Sequence, residues 1–254
     1  MNICSFFTNP YHYADLPVQL CQEKRQALSL VDLDQLEQAL QLNENSFLLQ
    51  VLSPAEQGYF QRFKYMKRKK EWLGGRIAAK AAMLAFSCAS DDQNLDSITI
   101  LPNKHGRPLA EELPACLSGL GNELTISLSH SDGFAVALAK LARKGANCGV
   151  DLQKISTKLA GLTSHFATDG ELQLLAQQAN CDEDTRLTML WTAKEALKKA
   201  LLHDQSVIFS ATELQEVFQL NDSIRRFTCT VQGQSHSVLV HALSPYILSI
   251  TEEN

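Results

Sequence analysis

Leu190-Trp191-Thr192-Ala193-Lys194-Glu195-Ala196-Leu197-Lys198-Lys199-Ala200-Leu201-Leu202 aligns Leu190, Leu197 and Leu201 on one apolar seam, and its Ala, Leu and Lys content favours a helix. The spacing predicts a long helix over Asp184–Leu202. Glu195 and Lys199 stand four apart on one face, as do Lys194 and Lys198. A surface ion pair between Glu195 and Lys199, worth about 0.3–0.5 kcal/mol, is one reading of that spacing. The other comes from Gly149-Val150-Asp151-Leu152-Gln153, about forty residues upstream, which alternates like a strand. Alternation sends Gly149, Asp151 and Gln153 to one face, either toward solvent or toward a ligand for which Gly149 leaves room. A strand aspartate and a helix glutamate beside lysines make a seat for magnesium carrying a phosphorylated group.

Working outward, Ser53-Pro54-Ala55-Glu56 is a helix start, with Ser at the cap, Pro at the first position and Glu three residues after Ser. The helical pattern runs on through Phe60, Phe63, Met66, Leu73 and Ile77 to Leu84, and Gly74-Gly75 marks a kink or a close backbone approach. Strands are expected at Ile3–Phe7, Ser46–Leu52, Ile98–Leu101, Leu124–Leu128, Phe134–Ala139 and Cys148–Leu152, with a Gln/Leu-rich helix near Asp32–Leu42. A turn-rich segment, Pro102–Pro108, divides two of them. A helix near Gly170–Gln178 precedes Asp184–Leu202, and strands follow near Val207–Phe209, Phe227–Gln232, Ser237–His241 and Tyr246–Ile250.

Each half of the chain thus carries a long helix and several strands. Trp72-x3-Arg76-x3-Lys80 matches Trp191-x3-Glu195-x3-Lys199, either by chance or because two pseudo-repeats meet face to face around a charged cleft. A boundary falls near Arg143–Asn147, giving halves 1–144 and 145–254.

Composition narrows the function classes. A chain of 254 residues, 45% apolar, buries a sizeable core in one large domain or two small ones. A net charge of −5 argues against wholesale nucleic-acid binding while leaving room for a local basic patch. The odd set of seven cysteines has no C-x-x-C pair and reads as reduced, mostly buried thiols of a cytoplasmic protein. No apolar run reaches the length of a membrane span.

The densest charge run, Lys64, Lys67, Arg68, Lys69 and Lys70, is a solvated helix face or a phosphate-binding surface. Arg76, set among Gly74-Gly75 and Ala78-Ala79, has neighbours too small to cover it and reads as a guanidinium reaching into a cleft. Arg107 sits on a stiff turn, and Ser129-His130-Ser131 ends a strand with groups able to donate to phosphate oxygens.

In order, the chain carries G-R-P at 106–108, S-H-S at 129–131, G-V-D-L-Q at 149–153 and W-T-A-K-E-A-L-K-K at 191–199. This series resembles the 4′-phosphopantetheinyl transferases, in particular the two-halved surfactin-type branch with its G-K-P, S-H-S, G-I-D-I-E and W-x-x-K-E-x-x-x-K. The resemblance spans residues 53–202. It implies an α+β fold of two pseudo-repeated halves, each a long helix on a small, mainly antiparallel sheet, with the active site between them. Paired halves in one chain make a monomer the simplest expectation, and the acidity and the lack of a long apolar run predict binding to neither nucleic acid nor membrane.

The resemblance implies an enzyme that moves the phosphopantetheine arm of coenzyme A onto a serine of an apo acyl or peptidyl carrier protein, releasing adenosine 3′,5′-bisphosphate. Residue by residue, Asp151 and Glu195 are expected to ligate Mg2+, with Gln153 in the position of a third ligand. Glu195 is expected to act as general base and Lys199 to contact the pyrophosphate. Ser129, His130, Arg107 and either Lys70 or Arg76 are expected to hold the coenzyme. Glu171 resembles the glutamate of an F-x-x-x-E segment with one residue extra. Carriers of fatty-acid, polyketide, polyunsaturated-fatty-acid and nonribosomal peptide synthesis all stay open. Two other readings compete: a magnesium-dependent nucleotide-handling transferase without a carrier, which the absence of a G-x-x-x-x-G-K-[ST] loop lowers, and a nucleic-acid-binding module using Lys64–Lys70.

Overall fold

A computed structural model of the chain describes residues 10–13, 16–23, 25–87, 94–121, 123–142, 146–202 and 209–252. The strand expected at Ile3–Phe7 lies outside these, as does most of that expected at Val207–Phe209; Phe209 itself opens a 3-10 turn, Phe209–Ala211. The chain divides into two compact units, residues 1–147 and 148–254.

The first unit begins with β1 (Pro10–Tyr13), β2 (Leu16–Glu23) and β3 (Gln26–Asp32). Helices α1 (Leu33–Val51), α2 (Pro54–Phe60) and α3 (Met66–Leu84) follow. Then come β4 (Thr99–Pro102), β5 (Pro108–Glu112), α4 (Ala115–Ser118), β6 (Leu124–Ser131) and β7 (Phe134–Leu141). Five strands form an antiparallel sheet in the order β1-β2-β3-β7-β6, and β4 pairs with β5 apart from it. Helix α3 packs on β7 and β3.

Asp32 caps α1 by accepting from the amides of Asp34 and Gln35. The expected strand at Ser46–Leu52 is wrong: through Val51 these residues belong to α1. The helix breaks at Asn43 (φ −161°, ψ 78°), whose side chain accepts from Ser46 N and restarts it. Phe47 and Val51, four apart, then bury together as a helix face. The helix expected from Ser53 to Leu84 also differs. It is two helices separated by residues 61–65, and α3 runs unbroken through Gly74-Gly75. A Cβ at Gly74 would lie 2.5 Å from Leu33 Cδ2 and 3.2 Å from Ala135 Cβ, so this glycine marks close approach rather than a kink.

The second unit holds β8 (Val150–Lys154), a 3-10 turn at Thr157–Leu162, α5 (Thr163–Phe166), α6 (Asp169–Gln178) and α7 (Glu183–Leu201). It closes with β9 (Thr212–Gln219), β10 (Ile224–Val231), β11 (Gln234–Leu243) and β12 (Tyr246–Thr251). The antiparallel sheet runs β8-β12-β11-β10-β9, with α7 on β12, β8 and β11. Leu190, Ala193 and Leu197 of α7 meet Phe227, Val238, Val240 and Ile247 in its core. Each large side chain so buried contributes about 1.5–3 kcal/mol.

Both units enclose the same kind of ion pair. In the first, the capping box of α2 buries Glu56: Oε2 accepts from Ser53 N (2.9 Å) and Lys80 Nζ (2.5 Å), and Oε1 accepts from Ile100 N (3.0 Å). Lys80 also donates to Val51 O (2.7 Å). In the second, the capping box of α6 buries Glu171, whose Oε2 accepts from Thr168 N and Lys194 Nζ (both 2.9 Å) and whose Oε1 accepts from Leu214 N (2.7 Å). Lys194 also donates to Phe166 O (2.8 Å). Lys80 therefore makes the bonds of Lys194, not those of Lys199, and the Trp72/Trp191 alignment is five residues out of step with this pattern. Burial pushes the Lys80 ammonium below the ordinary lysine value while Glu56 pulls it back. Among the described residues no helix is long and apolar enough to cross a membrane.

Candidate active site

Helix α7 starts on Asp182, whose carboxylate accepts from Thr185 N and Thr185 Oγ1 and is held below the usual carboxylate range by those bonds. It ends with Lys198 and Lys199 in its last turn, where the negative end of the helix dipole favours cations. Strand β8 lies directly against this turn. A Cβ on Gly149 would sit 1.9 Å from Ala196 O, so the space expected beside Gly149 for an ion is filled by the helix backbone.

That proximity decides the pairing of charges. Lys199 Nζ donates to Asp151 Oδ1 at 2.7 Å and to Val150 O at 2.9 Å. Glu195 instead accepts from Lys198, three residues on, at 3.3 Å. The expected Glu195–Lys199 surface pair is absent because β8 supplies a nearer carboxylate. Asp151 is 6% exposed, so its face of the strand is not turned to solvent, while Gln153 is half-buried. Asp151 on β8 thus holds Lys199, while Glu195, a helical turn back on α7, holds Lys198. Lys194, one residue from Glu195, points away into the buried pair with Glu171.

The remaining site residues lie in the first unit. Arg76 is 6% exposed: its Nε donates to Ile100 O (2.9 Å) and its guanidinium stacks 4.5 Å from the Trp72 ring centre. The expectation that small neighbours leave it uncovered fails because Trp72, one turn back, covers it. Burial lowers its pKa to about 10, so it stays charged at neutral pH. Lys70 is committed to Glu37 (2.6 Å) and Asp34 (3.2 Å) on α1, and its pKa is raised chiefly by the bond to Glu37. Lys69 pairs with Glu44, whereas Lys67 and Arg68 stay exposed beside Glu71. Two of the five basic residues are thus held by carboxylates of α1 and two more share Glu71, which weakens the nucleic-acid reading. Arg107 donates to Asn147 and, at 3.4 Å, to Thr125 Oγ1. Ser129 is buried on β6, and His130 beside it is exposed with Nδ1 3.9 Å from Glu71 Oε1.

No group of three or more His, Cys, Asp or Glu that would cage a metal by itself occurs among the described residues. As a donor set, Asp151 and Glu195 supply two carboxylates, and Mg2+ is a cation bound through one or two carboxylates plus water and substrate phosphate oxygens. The spacing of the sequence misses Ser249 and Thr251 of β12. Ser249 Oγ donates to Thr192 Oγ1 of α7 (2.8 Å), and Thr251 Oγ1 accepts from Gly149 N (2.8 Å). Their only sequence signal is the alternation of Leu248-Ser249-Ile250-Thr251, with hydroxyls where a core-facing strand would carry apolar groups.

Residues 147–251, which contain β8 and α7, match the model of the 4'-phosphopantetheinyl transferase superfamily. A holo-[acyl-carrier-protein] synthase of Petrotoga mobilis is 33% identical over 103 residues, 39% of this chain and 83% of the relative. One from Exiguobacterium sibiricum is 30% identical over 131 residues, 50% of this chain and 94% of the relative. Another, from a Geobacillus species, is 29% identical over 118 residues, 46% and 93% respectively. The chain belongs to the 4'-phosphopantetheinyl transferase superfamily. It is an enzyme, a phosphopantetheinyl transferase.

Proposed function

We propose that this transferase moves the 4′-phosphopantetheine group of coenzyme A onto a serine of an apo acyl or peptidyl carrier protein in the cytoplasm, releasing adenosine 3′,5′-bisphosphate, and that it acts as a monomer of the two-halved, surfactin-type branch. The observation that carries the reading is Lys199 bonded to Asp151 one turn from Glu195, inside the region matched to the family.

Asp151 and Glu195 would hold Mg2+ against the coenzyme's pyrophosphate, with the Gln153 carbonyl in the third position; the ion would neutralise charge and orient the phosphorus. Glu195 accepts the proton of the carrier serine as its Oγ attacks the phosphorus bearing the pantetheine. The new O–P bond forms as the bond to the bridging oxygen breaks, and the electron pair leaves with the adenosine bisphosphate. Lys199, already on the Asp151 side, stabilises the charge on the pyrophosphate. Arg107, Ser129 and His130 take the coenzyme's 3′-phosphate end. Arg76 and Lys70 drop out of that set because each is committed within the fold. The exposed Lys64, Lys67 and Arg68 suit the acidic surface around a carrier serine.

What supports a duplicated fold is the shared Glu–Lys pattern and the order β3-β7-β6 in one unit and β8-β12-β11 in the other. Incubating the protein with coenzyme A, Mg2+ and a panel of apo carriers, then weighing each carrier, tests the activity. Addition of one phosphopantetheine to the serine is expected, abolished by Asp151→Ala; unmodified carriers across the panel would end the proposal. Gln153→Glu should lower the magnesium concentration needed for half-activity, and an unchanged value would remove Gln153 from the ligand set.

A further inference from the structure

Resting on that reading, we infer that Thr251 and Gly149 form a clamp that sets the distance between β8 and the last turn of α7, making Thr251 a positioning residue for the reaction. Both polar groups of Gly149 are tied to Thr251. Gly149 N donates to Thr251 Oγ1 at 2.8 Å, and Thr251 N donates to Gly149 O at 3.0 Å. The other side of Gly149 abuts α7, where a Cβ would meet Ala196 O at 1.9 Å, Ala196 C at 2.8 Å and Ala200 N at 3.2 Å. These are backbone atoms, which no side-chain rotation moves aside.

The reactive groups bracket this contact on both elements. Val150 and Asp151, the next two residues of the strand, receive Lys199; Glu195 precedes Ala196 on the helix. A shift of β8 by the width of a methyl group therefore changes the Asp151-to-Glu195 separation directly, and mispositioning of that order costs on the order of 10²-fold in rate. One strand register up, Ser249 lies opposite Asp151 and bonds Thr192 of the same helix, so β12 fixes Asp151 through two hydroxyls on one face. Thr251 is 5% exposed and spends its hydroxyl and amide on Gly149, not on a group assigned to the chemistry, which leaves positioning as its route to the rate.

The test compares Thr251→Val, which keeps the shape and removes the acceptor, with Thr251→Ser, which keeps the acceptor. Val231→Ala, in the core of the same unit, serves as a control of general destabilisation. Expected is a kcat at least tenfold lower for T251V with KM for coenzyme A within threefold of wild type, T251S within threefold of wild-type kcat, and V231A with unchanged kcat. Wild-type kcat in T251V, an equal loss in T251S, or the same loss in V231A would overturn the clamp. Hydrogen exchange without substrate reads the same variants independently of activity: the peptide spanning 149–154 should exchange at least tenfold faster in T251V than in T251S, and equal exchange overturns the inference. A wild-type protein that modifies no carrier but shows this exchange difference would defeat the proposed function and leave the clamp standing.

Discussion

In the first unit, the helix beyond its buried lysine continues Ala81-Ala82-Met83-Leu84, all buried. In the second, the same walk from Lys194 meets Glu195 at the first step, Lys198 at the fourth and Lys199 at the fifth, none of them fully buried. The facing strands differ in the same sense. Ser29 of β3, 0% exposed, spends its hydroxyl on Ala78 O of α3, whereas Asp151 of β8 holds the ammonium of Lys199. One unit therefore buries the end of its long helix as core, while the other keeps charged groups partly exposed there, around ion pairs with matching backbone partners. Packing needs are met by alanines, a methionine and a leucine; the proposed reactive set instead consists of charged groups that keep part of their surface, with a glycine that brings strand and helix together.

The sharpest way to break this contrast is to exchange the costs. Glu195→Ala and Lys199→Ala should each lower kcat by about 10²–10⁴-fold, the former with little loss of fold. Leu84→Ala, at the step matching Lys198, should cost about 2–5 kcal/mol of stability and leave kcat within twofold. Steady-state kinetics and urea unfolding on the same preparations separate the two, and a large kcat loss in Leu84→Ala would refute the division. Next, Lys80→Met and Lys194→Met each strand a buried carboxylate and should destabilise by about 3–5 kcal/mol apiece. Similar losses sharpen the comparison; a difference above about 2 kcal/mol would mean that the shared bonding pattern hides unequal surroundings.

His241, 1% exposed in the second unit, provides a pH handle. Burial pushes its pKa down to about 4 from the ordinary 6.5, so it is neutral in the folded chain while the unfolded chain binds a proton from about pH 6.5 downward. Its contribution is present above pH 6.5 and is lost as the pH falls to about 4, about 3 kcal/mol in total. Urea midpoints measured across that window should fall in the wild type and flatten in His241→Leu; parallel curves would rule it out. Smallest is the loss of a cap. Ser53→Ala and Thr168→Ala should each cost about 1 kcal/mol, read as paired shifts in thermal midpoint.

Much of the local structure was legible because local rules govern it. The Ser53–Glu56 start and the extent of α7 are read from spacing, and the capping box at Ser53 forms, whereas the second box at Thr168–Glu171 goes unread. The failures share a cause in contacts that spacing does not see. Phe47-Leu48-Leu49 looked like a strand because its apolar run hides the Asn43 cap that makes it a second helical segment. Strand β9, Glu- and Gln-rich, carried too few apolar residues to be noticed, and a bulge opposite Thr228/Cys229 breaks its alternation. At the candidate site, Asp151, Glu195 and Lys199 stand out in the sequence as residue types. Their pairing does not, since Lys199 takes a carboxylate 48 residues away in preference to the one a turn behind it. The small sequence neighbours of Arg76 do not reveal its burial, because the ring that covers it comes from the preceding turn.

Glu171 also has a bearing on how the folded chain behaves in a crowded solution. Strand β9 is the outermost of its sheet, and two of its amides, Leu214 N and Val217 N, donate to Glu171 and Gln178 of α6. With those donors already engaged, the rim offers a poor template for a stray β-segment. The carboxylate that anchors Lys194 thereby also guards the protein against sticking to its own copies.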